Sequence, residues 1–194
     1  MKRKDILGIK DLSRSEINEL LSTANVMRDM IDRSEKSNAM RGKNVTTLFY
    51  ENSTRTRNSF ELAAKNLGAS TTSISVAVSS VQKGETLVDT GKTLDALKTD
   101  VIIIRHQVAG SCDLLASNVK ASVINAGDGM NEHPSQALLD GLTAARYFGS
   151  LAGKKLVIVG DIKHSRVARS DVRLFGKLGA EVTVCAPYSL LPDG

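Results

Sequence analysis

Short apolar segments that alternate with longer helical patterns constrain the fold of this chain more than any other feature. Apolar runs predict strands at 45–50, 71–76, 101–104, 122–125, 156–159 and 182–185. Apolar residues at helical spacing predict helices between most of them, at 56–67, 85–97, 111–117, 134–148 and 165–178. Such alternation requires parallel strands, joined by right-handed crossovers and covered by helices. The continuously apolar run 101–104 is typical of a strand buried on both faces.

A further helix precedes this alternating region. Ser13 and Glu16 form an S-x-x-E capping box, and apolar residues then recur at helical spacing from 17 to 31. Gly68 and Gly179 lie where two later helices are expected to stop, because glycine readily adopts the left-handed conformation found at helix ends.

A boundary between two units is expected near residues 149–153. The remaining residues contain one strand–helix–strand unit and a loop, and about 40 residues rarely form a self-sufficient core. We therefore predict an α/β fold in which residues 1–149 form a parallel sheet flanked by helices. Residues 150–194 would be the incomplete start of a second α/β domain, with further strands outside this chain.

Composition excludes several classes of function. The 194 residues are 41% hydrophobic and 24% charged, as in an ordinary globular protein. Lysine and arginine are spread along the chain, so the net charge of +5 suits an anionic ligand better than nucleic acid. Cys112 and Cys185 lack metal-site spacing and are expected to be buried, reduced thiols of a cytoplasmic protein without a metal. No segment resembles a signal peptide or a membrane span.

The strongest candidate site follows the first predicted strand. Five consecutive hydrogen-bond donors, Ser53, Thr54, Arg55, Thr56 and Arg57, stand where that strand turns into a helix. Helix N-termini bind phosphate through free backbone N–H groups, and guanidinium groups add bidentate contacts. The run predicts an anion site; the alternative is an ordinary helix cap beside two surface arginines.

Further candidates lie at the ends of other predicted strands, where open parallel sheets bind ligands. Arg105 leaves the buried strand and points either into the ligand crevice or at an acidic neighbour. A glycine-rich loop, 125–133, ends at His133, before Pro134 opens a helix. His133 could donate to a developing oxyanion, or be a structural histidine, and Gln136 could accept from an amide.

Two other loops are more ambiguous. Ser79, Ser80 and Lys83 precede a helix, but by themselves they are more typical of a solvated loop. The run 91–93 imitates a nucleotide-binding P-loop, but position 86 is threonine where that motif needs glycine, which excludes it. In loop 160–166, Arg166 could hold a carboxylate.

These motifs together resemble a known family. Phe49 with the run 53–57 and the following Ser59-Phe60-Glu61 is similar to the carbamoyl-phosphate signature of the aspartate and ornithine carbamoyltransferases. The segment 125–136 resembles a second motif of that family. The segments 83–90 and 160–168 resemble its aspartate branch, whereas the segment that distinguishes the ornithine branch would lie beyond Gly194.

The resemblance implies transfer of a carbamoyl group from carbamoyl phosphate to the amine of L-aspartate, in pyrimidine biosynthesis, without a metal or organic cofactor. It implies Arg55, Thr56, Arg105, His133 and Gln136 as catalytic residues. Carbamoyl phosphate would contact these five together with Ser53 and Thr54, and with Ser79, Ser80 and Lys83 of an adjacent subunit. Aspartate would contact Lys83 and Arg166.

The resemblance also implies a cytoplasmic homotrimer with active sites shared between subunits, and a possible regulatory chain as partner. It places further aspartate contacts and a C-terminal helix beyond Gly194. Two alternatives stay open at this point. One is an enzyme that acts on ornithine or another amino acid, and the other is a non-catalytic module that binds carbamoyl phosphate.

Overall fold

The computed structural model of the protein describes residues 3–75 and 85–192, and over this range it confirms the predicted alternation. The strands are β1 (Asn44–Phe49), β2 (Ser70–Ser75), β3 (Val101–His106), β4 (Ser122–Asp128), β5 (Lys155–Val159) and β6 (Glu181–Cys185). The helices are α1 (Arg14–Asp32), α2 (Thr54–Asn66), α3 (Leu87–Ala96), α4 (Ser111–Ala116), α5 (Pro134–Phe148) and α6 (Arg166–Leu178).

The first four strands form one parallel sheet in the order β2-β1-β3-β4. In β3, Ile102, Ile103 and Ile104 are at most 3% exposed, which confirms a central strand covered on both faces. Phe49 is in register with Arg105, so the loops that follow β1 and β3 leave the sheet side by side. The sheet thereby brings separate polar loops to one edge, as parallel topology requires.

Helix ends follow their local signals closely. Both bonds of the capping box at Ser13 and Glu16 are present, and Gly179 ends α6 with a φ of +91°. Helix α2 begins at Thr54, two residues before the predicted start at 56. The first turn of α2 therefore consists of the donor-rich run itself.

A core cluster holds α1, α5 and α6 together. Gly141 on α5 allows the close approach of α6, because a Cβ atom at this position would lie 2.4 Å from Cδ2 of Leu174. Leu174 is fully buried, so it has little room to move away. This contact sets the distance between two helices whose N-termini both reach the candidate site.

Strands β5 and β6 form a separate two-stranded parallel sheet. Its valines at 157, 159 and 184 are exposed. Cys185 at the end of β6 is exposed too, so the expectation that both thiols are buried was wrong for Cys185 and correct for Cys112. The reason is that Cys185 belongs to this open sheet, whereas Cys112 lies under the four-stranded one.

Within residues 3–75 and 85–192, no cluster of His, Cys, Asp or Glu is arranged to hold a metal ion. In the same part of the chain, no helix combines the length and apolar character needed to cross a bilayer.

Candidate active site

A cleft of about 1570 Å³ lies at the carboxyl edge of the four-stranded sheet. Eight of the predicted site residues line it: Ser53, Thr54, Arg55, Thr56, Arg105, His133, Gln136 and Arg166. The fold thus brings together residues from the end of β3 and from the first turns of α2, α5 and α6. The remaining predicted residues, Ser79, Ser80 and Lys83, lie outside the described part of the chain.

Two helices begin at this cleft without a side-chain cap in the described structure. Ser53 is the N-cap residue of α2, but its hydroxyl accepts a hydrogen bond from Arg105 (3.3 Å) instead of capping the helix. His133 holds the same place at the start of α5, and its side chain does not cap that helix either. The first N–H groups of a helix lack partners within it, so both starts are suited to an anion.

The two arginines of the opening donor run differ in their surroundings. Arg55 lines the cleft. Arg57 faces Glu61 one turn further along α2, with 4.0 Å between Nε and Oε1. Of these two arginines, only Arg55 is among the described residues that line the cleft. Arg57 fits the alternative, in which it is an ordinary surface arginine.

Glu51 is a site residue that sequence reasoning missed. Its Oε2 accepts hydrogen bonds from Nε of Arg105 (2.9 Å) and from a terminal nitrogen of Arg166 (2.7 Å). Burial favours the neutral acid, but the bonds from Arg166 and Arg105 together outweigh it and hold the pKa of Glu51 below its usual value. The available signal was an acidic residue two positions before the donor run, at the end of the first strand.

The two alternatives for Arg105 do not exclude each other. Its guanidinium pairs with an acidic neighbour, Glu51, and also lines the cleft beside Ser53. Glu51 in turn connects Arg105 on β3 to Arg166 on α6. Gly127 leaves room for Arg166, because a Cβ there would lie 3.0 Å from Nε of that arginine, in a backbone with φ of +117°.

The loop that presents His133 is organised by a buried carboxylate, Asp128. One oxygen accepts from the side chain of Asn125 (2.8 Å) and from N–H of Glu132 (3.1 Å). The other accepts from N–H of Gly110 (2.8 Å) and from the side chain of Asn131 (3.0 Å). These contacts keep the loop folded over the end of β4 and place His133 at the cleft.

His133 itself is 6% exposed, and its main-chain N–H donates to Oγ of Ser170 (2.9 Å). Burial, followed by the positive charges of Arg105 and Arg166, lowers the pKa of the imidazole to about 4. The ring is therefore neutral at pH 7, and one of its nitrogens carries a hydrogen that it can donate. The hydroxyl of Ser135 lies 3.3 Å from Nδ1 and can donate to it, which would leave that hydrogen on Nε2.

Glu132, next to His133, is a second residue that sequence reasoning missed. It is completely buried, yet its carboxylate accepts from N–H of Ile9 (3.0 Å), N–H of Lys10 (3.2 Å) and the hydroxyl of Ser170 (2.8 Å). Arg173 donates to the same carboxylate. One side chain thus ties the N-terminal segment and α6 to the loop that carries His133.

Comparison with known families agrees with this geometry. The sequence profile described as "Aspartate/ornithine carbamoyltransferase, carbamoyl-P binding domain" matches residues 4–146. This chain belongs to the aspartate/ornithine carbamoyltransferase family.

Relatives within this family are named aspartate carbamoyltransferase catalytic subunits. The one from Acetivibrio thermocellus is 58% identical over 99% of this chain and 62% of its own length. The one from Moorella thermoacetica is 56% identical over 99% of this chain and 63% of its own length. The chain therefore spans less than two thirds of these carbamoyltransferases.

Solved structures of the same family share the fold. Aspartate transcarbamoylase from Trypanosoma cruzi, in complex with carbamoyl phosphate and aspartate, superposes with a TM-score of 0.89 at 37% identity, over 96% of this chain and 59% of that one. Its complex with N-(phosphonacetyl)-L-aspartic acid gives the same TM-score, over 58% of that chain. The parallel sheet and its flanking helices are thus those of a carbamoyltransferase.

Proposed function

We propose that this chain binds carbamoyl phosphate and belongs to an aspartate carbamoyltransferase. The reaction transfers the carbamoyl group to the amine of L-aspartate and yields N-carbamoyl-L-aspartate and phosphate. The observation that carries the proposal is the single cleft that joins the uncapped start of α2 to Arg105, His133 and Gln136. The names of the relatives favour aspartate over ornithine as acceptor.

The phosphate end of the ligand would lie at the start of α2. Backbone N–H groups of its first turn, the hydroxyls of Ser53, Thr54 and Thr56, and the Arg55 guanidinium would contact it there, since these residues line the cleft at an uncapped helix start. A helix N-terminus and a guanidinium both stabilise a dianion, and phosphate accepts several hydrogen bonds at once. Arg105, beside Ser53, would reach both the phosphate and the carbonyl oxygen.

The carbamoyl end would lie between Thr56, Arg105 and the start of α5. A neutral His133 donates a hydrogen bond to the carbonyl oxygen, and Gln136 accepts one from the NH2 group. The aspartate amine attacks the carbamoyl carbon to form a tetrahedral intermediate, in which these donors stabilise the oxyanion. The bond from carbon to the phosphate oxygen then breaks, and phosphate leaves with the proton that the attacking amine gives up. Orientation of the two substrates supplies the remaining acceleration, without a covalent enzyme intermediate.

Aspartate would bind on the side of the cleft formed by α6, where Arg166 would hold one carboxylate. Residues 150–194 would then be the first strand–helix–strand unit of an aspartate-binding domain. The exposed valines of β5 and β6 support this division, because a sheet face of this kind is normally covered in a complete domain. The family profile also ends at residue 146, close to the proposed boundary.

The proposal extends to assembly and cellular role. Ser79, Ser80 and Lys83 would complete the site of a neighbouring subunit, with Lys83 also near aspartate, in a cytoplasmic homotrimer that serves pyrimidine biosynthesis. A regulatory chain is a possible additional partner. Because the chain spans less than two thirds of its relatives, carbamoyl-phosphate binding is the property to test first.

Titration calorimetry with carbamoyl phosphate tests the proposal, with Arg55→Ala as the variant and Arg57→Ala as its matched control. Loss of a charge-assisted contact is expected to raise the Kd of Arg55→Ala by about ten- to a hundred-fold. Arg57→Ala should stay close to the unmodified chain, because Arg57 faces Glu61. An unchanged Kd for Arg55→Ala would contradict the placement of the phosphate.

A product assay then separates the candidate activities. Carbamoyl-aspartate formed from carbamoyl phosphate and aspartate, with no product from ornithine, supports the aspartate enzyme. Binding of carbamoyl phosphate without product from either amine would instead identify this chain as a non-catalytic binding module.

A further inference from the structure

Gln136 has a hydrogen-bond partner on its own helix, one turn further along. Its side-chain nitrogen Nε2 donates a hydrogen bond to Oδ1 of Asp140 at 3.0 Å. The two residues are one turn apart on α5, so they lie on the same face of that helix. Gln136 lines the cleft, whereas Asp140 is not among the described residues that line it.

This bond determines the orientation of the Gln136 amide. An amide has a donor end and an acceptor end, whereas an ionised carboxylate only accepts. With NH2 engaged by Asp140, the amide oxygen is the end left for a ligand. Rotation of the amide by half a turn would bring its oxygen against the Asp140 carboxylate, which is unfavourable because both groups only accept. It would also turn the Gln136 NH2 group toward the cleft, where it could not accept a hydrogen bond from the NH2 group of a ligand.

Asp140 is partly buried and lies near a second carboxylate. Gly141 brings α6 close to this part of α5, and Asp171 of α6 is the acidic neighbour there. Oδ1 of Asp171 is buried, and it has no hydrogen-bond partner within the described residues. Burial, and then the negative charge of Asp140, raise the pKa of Asp171 to about 7. Partial burial strengthens the bond between Asp140 and Gln136, because it is less screened by water.

We propose that Asp140 is a positioning residue, which keeps the oxygen of the Gln136 amide toward the cleft and thereby selects a carbamoyl group over an acetyl group. The two groups differ in one place: carbamoyl phosphate has NH2 where acetyl phosphate has CH3. An amide oxygen accepts from NH2 and gains nothing from CH3. This inference rests on the proposed function, and it adds the residue that sets substrate selection in the same site.

The test compares three ligands, carbamoyl phosphate, acetyl phosphate and inorganic phosphate, by titration calorimetry on the full chain. The unmodified chain is expected to prefer carbamoyl phosphate over acetyl phosphate. Asp140→Ala should reduce this preference by about three- to ten-fold, the range of one hydrogen bond, with little change in phosphate affinity. Asp171→Asn is the matched control, because it removes a neighbouring carboxylate that is not bonded to Gln136, and it should keep the preference.

The outcomes separate the inference from the proposed function. If the unmodified chain binds none of the three ligands, the proposed function fails. If the unmodified chain binds both acyl phosphates equally, the positioning role is overturned. It is also overturned if Asp140→Ala keeps the original preference, or if it weakens the binding of all three ligands by one common factor. Should Asp140→Ala lose phosphate binding altogether, the similarly shaped Asp140→Leu decides. Leucine offers no acceptor to the Gln136 amide, so a reduced preference supports the role and an unchanged one overturns it.

Discussion

The buried carboxylate of Glu132 allows a quantitative test of how the site is held in place. Glu132→Gln keeps the shape of the side chain but replaces one accepting oxygen with an NH2 group. Oε1 accepts from Lys10 and Arg173, and Oε2 accepts from Ile9 and Ser170. In either orientation of the new amide, its NH2 group faces a backbone N–H that has lost its acceptor.

The expected loss of stability follows from these contacts. The loss of stability is smallest when the new NH2 group points toward Ser170, because the hydroxyl oxygen of Ser170 can accept a hydrogen bond from it. This orientation leaves the N–H of Ile9 without a partner. A buried unsatisfied donor costs about 1–3 kcal/mol, and the bond from Arg173 also weakens when its acceptor becomes neutral. Arg173 is 35% exposed, so water screens part of that second loss. Together the two effects should lower the free energy of unfolding by about 3 kcal/mol.

Urea unfolding followed by circular dichroism measures this change. With a slope of about 2–3 kcal/mol per molar urea, the unfolding midpoint should fall by about 1 M or more. Glu16→Gln is a suitable control, because Glu16 is a partly exposed carboxylate of the capping box whose donors water can reach, and its midpoint should move much less. A loss below about 1 kcal/mol for Glu132→Gln would refute the argument that this carboxylate satisfies buried donors.

Three further outcomes are expected. In an NMR titration, the ring of His133 should protonate with a midpoint near pH 4. Between pH 6.5 and 4 the ring then stays neutral in the folded protein while the unfolded chain takes up a proton, so this histidine lowers the free energy of unfolding as the pH falls; a midpoint above 6 would show that burial and the two arginines do not act on it. Gly141→Ala should lower the free energy of unfolding by about 1–2 kcal/mol, since its Cβ meets Leu174, and an unchanged melting temperature would contradict that packing. A thiol reagent should label Cys185 in the native protein and Cys112 only after unfolding, and rapid labelling of both would contradict the burial of Cys112.

Local patterns in the sequence were sufficient for the elements and for eight of the residues that line the cleft. Periodicity and capping signals depend on neighbours within one or two turns, so they identified the strands, the capping box at Ser13 and the helix stop at Gly179. Parallel topology then implied that strand-end loops share one edge of the sheet. Donors such as Arg55 and Arg105 could therefore be assigned to one cleft from the sequence.

Only the tertiary structure identified the carboxylates that hold these donors in place. Glu51 pairs with Arg105 and Arg166, and Glu132 joins Ile9 to Arg173, across distances in sequence that no local pattern spans. The low pKa of His133 likewise depends on burial and on two arginines from other elements. Charge pairing and desolvation arise from what the fold brings together, so they follow from the packed structure and not from the order of residues along the chain.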